Sequence, residues 1–183
     1  MESDLHREGL QAMEQGRYVE GIAKLEQASR DDPANVAYQI DLKSRRLAAV
    51  QQMLSAADMS RAAGRFDEAK ATYGAFALGL RRHIGFEEQL LFPEYEKRSG
   101  FPADAGPTAM MRFEHREIES LLQAIEGAIG DPKANADALR ADLHEVLAGH
   151  NVKEERILYP GADRLMSRDE TDELVRRIQA YRR

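Results

Sequence analysis

The chain has no cysteine. Disulfides, zinc–thiolate sites and thiol catalysis are thereby excluded. It has no tryptophan, and only 7% of it is aromatic. It also has no run of alternating β-branched residues, so strands are not expected. Positive charge is in deficit: 26 Lys and Arg stand against 32 Asp and Glu, for a net charge of -6. A general nucleic-acid binder wants a basic surface, and none is on offer. No glycine-rich phosphate loop occurs. No apolar run approaches membrane-spanning length. The opening Met1-Glu2-Ser3-Asp4-Leu5-His6 is polar and acidic, without a signal-peptide stretch. These absences set the expectation of a soluble, cytoplasmic chain with no membrane partner.

What is present points to helices. Ala, Leu, Glu and Arg dominate, all good helix formers. At 183 residues, 43% of them hydrophobic, the chain can bury a sizeable core as one domain, or one domain with a small appendage. Apolar spacing predicts a helical hairpin over residues 3–32, with Gly16 at its turn, and a long helix over 36–63 ended by Gly64. Further helices are predicted over 67–97, 108–129 and up to about Tyr159. Asp131, just before Pro132, is the expected cap of the last of these. Ser167-Arg168-Asp169-Glu170 reads as a capping box opening a short final helix. Long helices with short connections predict an all-α, antiparallel up-down four-helix bundle, with an N-terminal helical hairpin and a short C-terminal helix. The boundaries expected are 1–35, 36–165 and 166–183.

One stretch occurs twice. His83-Ile84-Gly85-Phe86-Glu87-Glu88 leads to Leu91-Phe92-Pro93, and His150-Asn151-Val152-Lys153-Glu154-Glu155 leads to Leu158-Tyr159-Pro160. Residues four apart share a helix face. Each copy therefore aims an imidazole and a carboxylate at one spot, and the proline marks where the helix is expected to break. His115 and Glu119 repeat the spacing on a third helix. Three of the five histidines thus precede a glutamate by four, and buried carboxylates without partners are costly. A cation among them removes that cost. Imidazole and carboxylate without sulfur suit Fe, Mn or Zn. Ferritin-like sites use Glu-x2-His, the reverse order, and the zinc-protease His-Glu-x2-His is missing.

Residues 36–165 resemble the hemerythrin-like, or HHE cation-binding, family. The matching stretches are His83 with Glu87, His115, and His150 with Glu154, with their Leu-aromatic-Pro continuations. The resemblance implies a di-iron site that binds or senses dioxygen, nitric oxide or peroxide, in a metal-binding or sensor protein rather than an enzyme. It implies His83, His115 and His150 as terminal imidazole ligands and Glu87 and Glu154 as bridging carboxylates. Glu155 is the alternative to Glu154. Glu119 stands where oxygen carriers have a second histidine, and Glu88 and Glu155 are candidates to hold ligands or a water. The family's first-helix histidine should fall near Ala49, yet residues 44–51 contain none; Asp41, Gln51 and Gln52 are the nearest polar candidates. That leaves open a single-metal or peroxide-consuming variant, with mononuclear Fe, Mn or Zn, or a helical adaptor whose metal site has degraded. The N-terminal Gly9, Gly16-Arg17-Tyr18, Ile22, Leu25, Ala28 and Pro33 resemble a tetratricopeptide repeat, departing at Gly21. A single such unit cannot bury its own apolar face, which implies packing on the chain or on a protein partner.

Overall fold

The computed structural model describes residues 3–32, 52–131 and 133–181. All regular structure among them is helical, and the all-α helical bundle expected from the sequence is what the chain forms. Contacts divide the chain into two compact units, Met1–Phe76 and Ala77–Arg183.

In the first unit, α1 (Asp4–Glu14) and α2 (Tyr18–Asp31) pack as a hairpin. Met13 and Leu25 are buried at its centre, with Leu10, Tyr18 and Ile22 against them. The turn is a Schellman cap: Gly16 N–H donates to Met13 C=O, and Arg17 N–H reaches back to Ala12 C=O. This needs the left-handed φ of 75° that Gly16 supplies. The same pattern recurs after α3, whose described part is residues 52–62. There Gly64 donates to Arg61 and Arg65 to Ser60, again with φ 75°. Gly16-Arg17 and Gly64-Arg65 thus share one turn chemistry. The remainder of the long helix predicted over 36–63 lies outside the described residues. α4 (Phe66–Phe86) follows.

The second unit holds two helical rods of unusual construction. α4 does not stop at the repeated motif. It widens into a π turn over Glu87–Leu91 and continues as α5 (Phe92–Ser99). Likewise α7 (Ala136–Lys153) widens over Glu154–Leu158 and continues as α8 (Tyr159–Leu165). The prolines were expected to break these helices. Instead Pro93 and Pro160 sit in the first turn of the resumed helix, where a missing N–H does no harm. α6 (Pro107–Ala128) packs along α7, and α5 touches both α6 and α8. Asn135, not Asp131, caps α7, by accepting from Ala138 N–H; Asp131 accepts from Lys133 N–H within the preceding turn. Leu91, Phe92, Tyr95, Met111, Leu158 and Leu174 form the shared core, each large side chain contributing roughly 1.5–3 kcal/mol.

α9 (Arg168–Ala180) opens with the predicted capping box, Ser167 and Glu170. Arg98 of α5 bonds both Glu94 and Glu170, and Arg177 also reaches Glu94. Arg98 and then Arg177 hold the Glu94 carboxyl below the usual range. The Ser167 N–H, aided by Arg98, brings Glu170 down to about 2. Such depressed carboxyls stabilise fully above their unfolded pKa, about 4.3, and cease to do so as pH falls through the folded value. Acidification from about pH 4 to 2 is therefore expected to release α9 from α5. Arg98→Ala, which breaks the link to Glu170 and leaves Arg177 on Glu94, should move that release to higher pH, as read from α9 amide shifts in NMR; identical profiles would show the Arg98 link to be inert.

Candidate metal centre

His83 lies in the last turn of α4, one turn before the π segment that begins at Glu87. His150 lies in the last turn of α7, one turn before the π segment that begins at Glu154. α6 supplies His115 between them. Donor atoms of Glu87, His115, His150 and Glu154 all lie within 4.8 Å of one another, and all four residues are buried. His83 Nε2 approaches both carboxylates, at 3.4 Å from Glu154 Oε1 and 3.5 Å from Glu87 Oε2. Its side chain is 28% exposed, so this is the side on which the cluster meets solvent.

The bonding is incomplete in one direction only. His115 Nδ1 lies 2.9 Å from Glu88 Oε1, and His150 Nδ1 lies 3.0 Å from Glu114 Oε2. An ionised carboxylate only accepts, so each Nδ1 carries the proton it donates. In the neutral rings that leaves each Nε2 facing the cluster with a lone pair. His115 Nε2 stands 3.3 Å from Glu87 Oε2, yet both atoms are buried without a hydrogen bond. Acceptors facing acceptors in a dry interior require a positive charge between them. Donors about 2.0–2.2 Å from a shared cation stand about 3–4 Å apart, and the contacts of Glu87 with His115 and of His83 with both carboxylates, at 3.3–3.5 Å, fall in that range. The residues fit a metal ion.

Electrostatics agree. Burial resists ionisation of Glu154, but hydrogen bonds from His150 and His83 outweigh it and hold the carboxyl well below its usual range. Burial also resists protonation of His150, but Glu154, 2.8 Å from its Nε2, together with Glu114, raises it above an ordinary histidine. With acceptors on both nitrogens, His150 takes an extra proton where a cation would otherwise serve. Burial and the Glu87 and Glu154 charges push the Tyr159 phenol far up. It stays neutral and donates to Glu87 Oε1 at 2.8 Å.

The other sequence candidates fall as follows. Glu88 holds His115 from behind. Glu155 is exposed, so Glu154 is the acid that faces the cluster. Glu119 lies outside it, because Arg81 grips both its oxygens at 2.9–3.2 Å and Gln123 adds a second partner. His144 is exposed. Ala49, Asp41 and Gln51 lie outside the described residues; Gln52 is exposed.

Sequence reasoning missed four contributors. Glu114 and Lys153 sit off the four-residue spacing that flagged the rest. Phe92 and Tyr159 occupy equivalent places in the two motif copies and were read only as core. Phe92 stacks on the His115 ring at 5.6 Å and 11°, whereas Tyr159 spends its hydroxyl on Glu87. The hydroxyl present in one copy and absent in the other was the available signal.

No described helix is long and apolar enough to cross a membrane. Comparison with curated proteins and with solved structures gave no match. The family described as the hemerythrin HHE cation binding domain matches residues 37–162, well over half of the chain. With that match and a buried cluster built for a cation, the chain belongs to the hemerythrin HHE cation-binding family.

Proposed function

We propose that this chain holds non-haem iron at His83, Glu87, His115, His150 and Glu154, as a di-iron site, and uses it to bind or sense dioxygen, nitric oxide or peroxide. One observation carries the reading: Glu87 Oε2 and His115 Nε2 face each other, buried and without a hydrogen bond. Sulfur-free nitrogen and oxygen donors suit iron. Bound iron supplies an open coordination position and a change of oxidation state. The protein's own contribution is positional. Glu88 and Glu114 aim the two buried imidazoles. Phe92 fixes the His115 ring, and Tyr159 keeps a proton beside Glu87. The partly exposed His83 marks the side of entry for a small ligand. In this reading the α1–α2 hairpin is a separate tetratricopeptide-like module, offered to a protein partner.

The test is metal analysis with an absorption spectrum of aerobically purified protein. Oxo-bridged di-iron absorbs in the near ultraviolet, and a colourless, metal-free protein after anaerobic iron loading would end the proposal. A second reading, one metal with peroxide-consuming chemistry, draws on the four donors that share a single locus. His83→Ala separates the two. At a di-iron site the variant loses half of its iron and some thermal stability, because ligation and folding are linked. At a single site on the other four residues, iron per chain is unchanged.

A further inference from the structure

The two buried imidazoles are held from behind by carboxylates in very different settings. Glu88, behind His115, has a side chain 37% exposed. Water can reach its carboxylate. Glu114, behind His150, has a side chain only 10% exposed. Its second oxygen, Oε1, is taken by the ammonium of Lys153, which stands three residues after His150 on the same helix and is itself 37% exposed. Consecutive residues of α6 thus serve different helices: His115 enters the cluster, while Glu114 crosses to the α7 imidazole.

We infer that Glu114 and Lys153 form a positioning pair that keeps the proton of His150 on Nδ1 and its Nε2 turned to the cluster, and that metal affinity depends on them more than on Glu88. The inference rests on the metal reading above. Its logic is charge balance. A buried carboxylate without a counter-charge is expensive. Lys153 supplies that charge from the solvent side and donates to one Glu114 oxygen, which leaves the other to accept from His150. An acceptor-only partner admits a single orientation of the ring's proton. The carboxylate behind His150 is largely shielded from solvent, whereas the one behind His115 is not.

Zinc, being diamagnetic, is the probe. Binding is measured by chelator competition, and the state of the His150 ring by nitrogen-15 NMR of the zinc-loaded full chain. Glu114→Ala is expected to bind zinc roughly 10- to 100-fold more weakly, the usual consequence of removing such a partner. Glu88→Ala should lose several-fold less. Glu114→Gln, which keeps an acceptor oxygen, should recover part of the loss, and it serves if the alanine variant does not fold. In the wild type the His150 Nδ1 proton should be bonded and slow to exchange; in Glu114→Ala it should exchange quickly. A pure α6–α7 brace would change the melting temperature of the metal-free protein but not that proton or the order of the two variants. Wild-type affinity in Glu114→Ala, an equal or larger loss in Glu88→Ala, or a His150 Nδ1 without a proton would overturn the inference alone. A wild type that takes up no zinc or iron would overturn the metal reading and this inference with it.

Discussion

Metal loading of chelator-treated protein is expected to raise its melting temperature by about 8–16 °C. The estimate follows from mass action. Free metal at about a thousand times its Kd stabilises the form that binds it by about 4 kcal/mol, and each kcal/mol moves the midpoint of a chain of this size by roughly 2–4 °C. The structural reason is the crowd of acceptors around Glu87. Two buried carboxylates, Glu87 and Glu154, share their space with three imidazoles, and His150 is driven to take on a proton. The metal-free state leaves Glu87 Oε2 and His115 Nε2 buried without a hydrogen bond. A cation gives both atoms the partner they lack. Helix content by circular dichroism, with and without ferrous iron or zinc, reads the effect, and chelation should reverse it. A midpoint indifferent to either metal would show that the cluster is a structural polar network.

Glu87→Gln should split stability from binding. The glutamine oxygen can still accept from Tyr159, which lies 2.8 Å from Glu87 Oε1. Its amide NH2 takes the place of Oε2 and can donate to His115 Nε2, 3.3 Å away. One buried charge disappears and one orphaned nitrogen is satisfied. The metal-free variant should thus be more stable than wild type, by roughly 1–3 kcal/mol, the range for an unsatisfied buried polar group. Its metal-dependent rise should vanish, since an amide is a poor ligand beside a carboxylate. Functional sites characteristically sacrifice stability in this manner. If instead the metal-free variant melts below wild type, Glu87 is a structural residue.

The all-α architecture was legible because the apolar spacing, the glycines after α1 and α3, and the Ser167 capping box all point the same way. The cluster was legible where ligand spacing coincides with helical spacing, as in His83 with Glu87 and His150 with Glu154. It was illegible where partners come from different helices. His115 and Glu119 obey the same spacing, yet Arg81, 38 positions before Glu119, draws the acid away. Nothing local to Glu114 announces that it will meet His150. Nor does proline distinguish a helix that stops from one that widens, since both leave its missing N–H unused. The Asp131 expectation failed for a related reason: its side chain closes the turn it stands in, and Asn135 is nearer the first helical residue.

The widened turns carry a lesson for anyone wishing to transplant this site. Both begin at the inward-facing glutamate, and both close with an N–H reaching five residues back, Phe92 to Glu87 and Tyr159 to Glu154. A regular helix advances about 100° per residue, so one surplus residue swings everything downstream by about that angle. The polar stretch before the turn and the greasy stretch after it are therefore phased independently. Grafting His-x3-Glu onto two straight helices would copy the ligands but leave the residues corresponding to Phe92 and Tyr159 aimed elsewhere. A faithful scaffold needs a one-residue offset built into each rod, immediately beyond its acid.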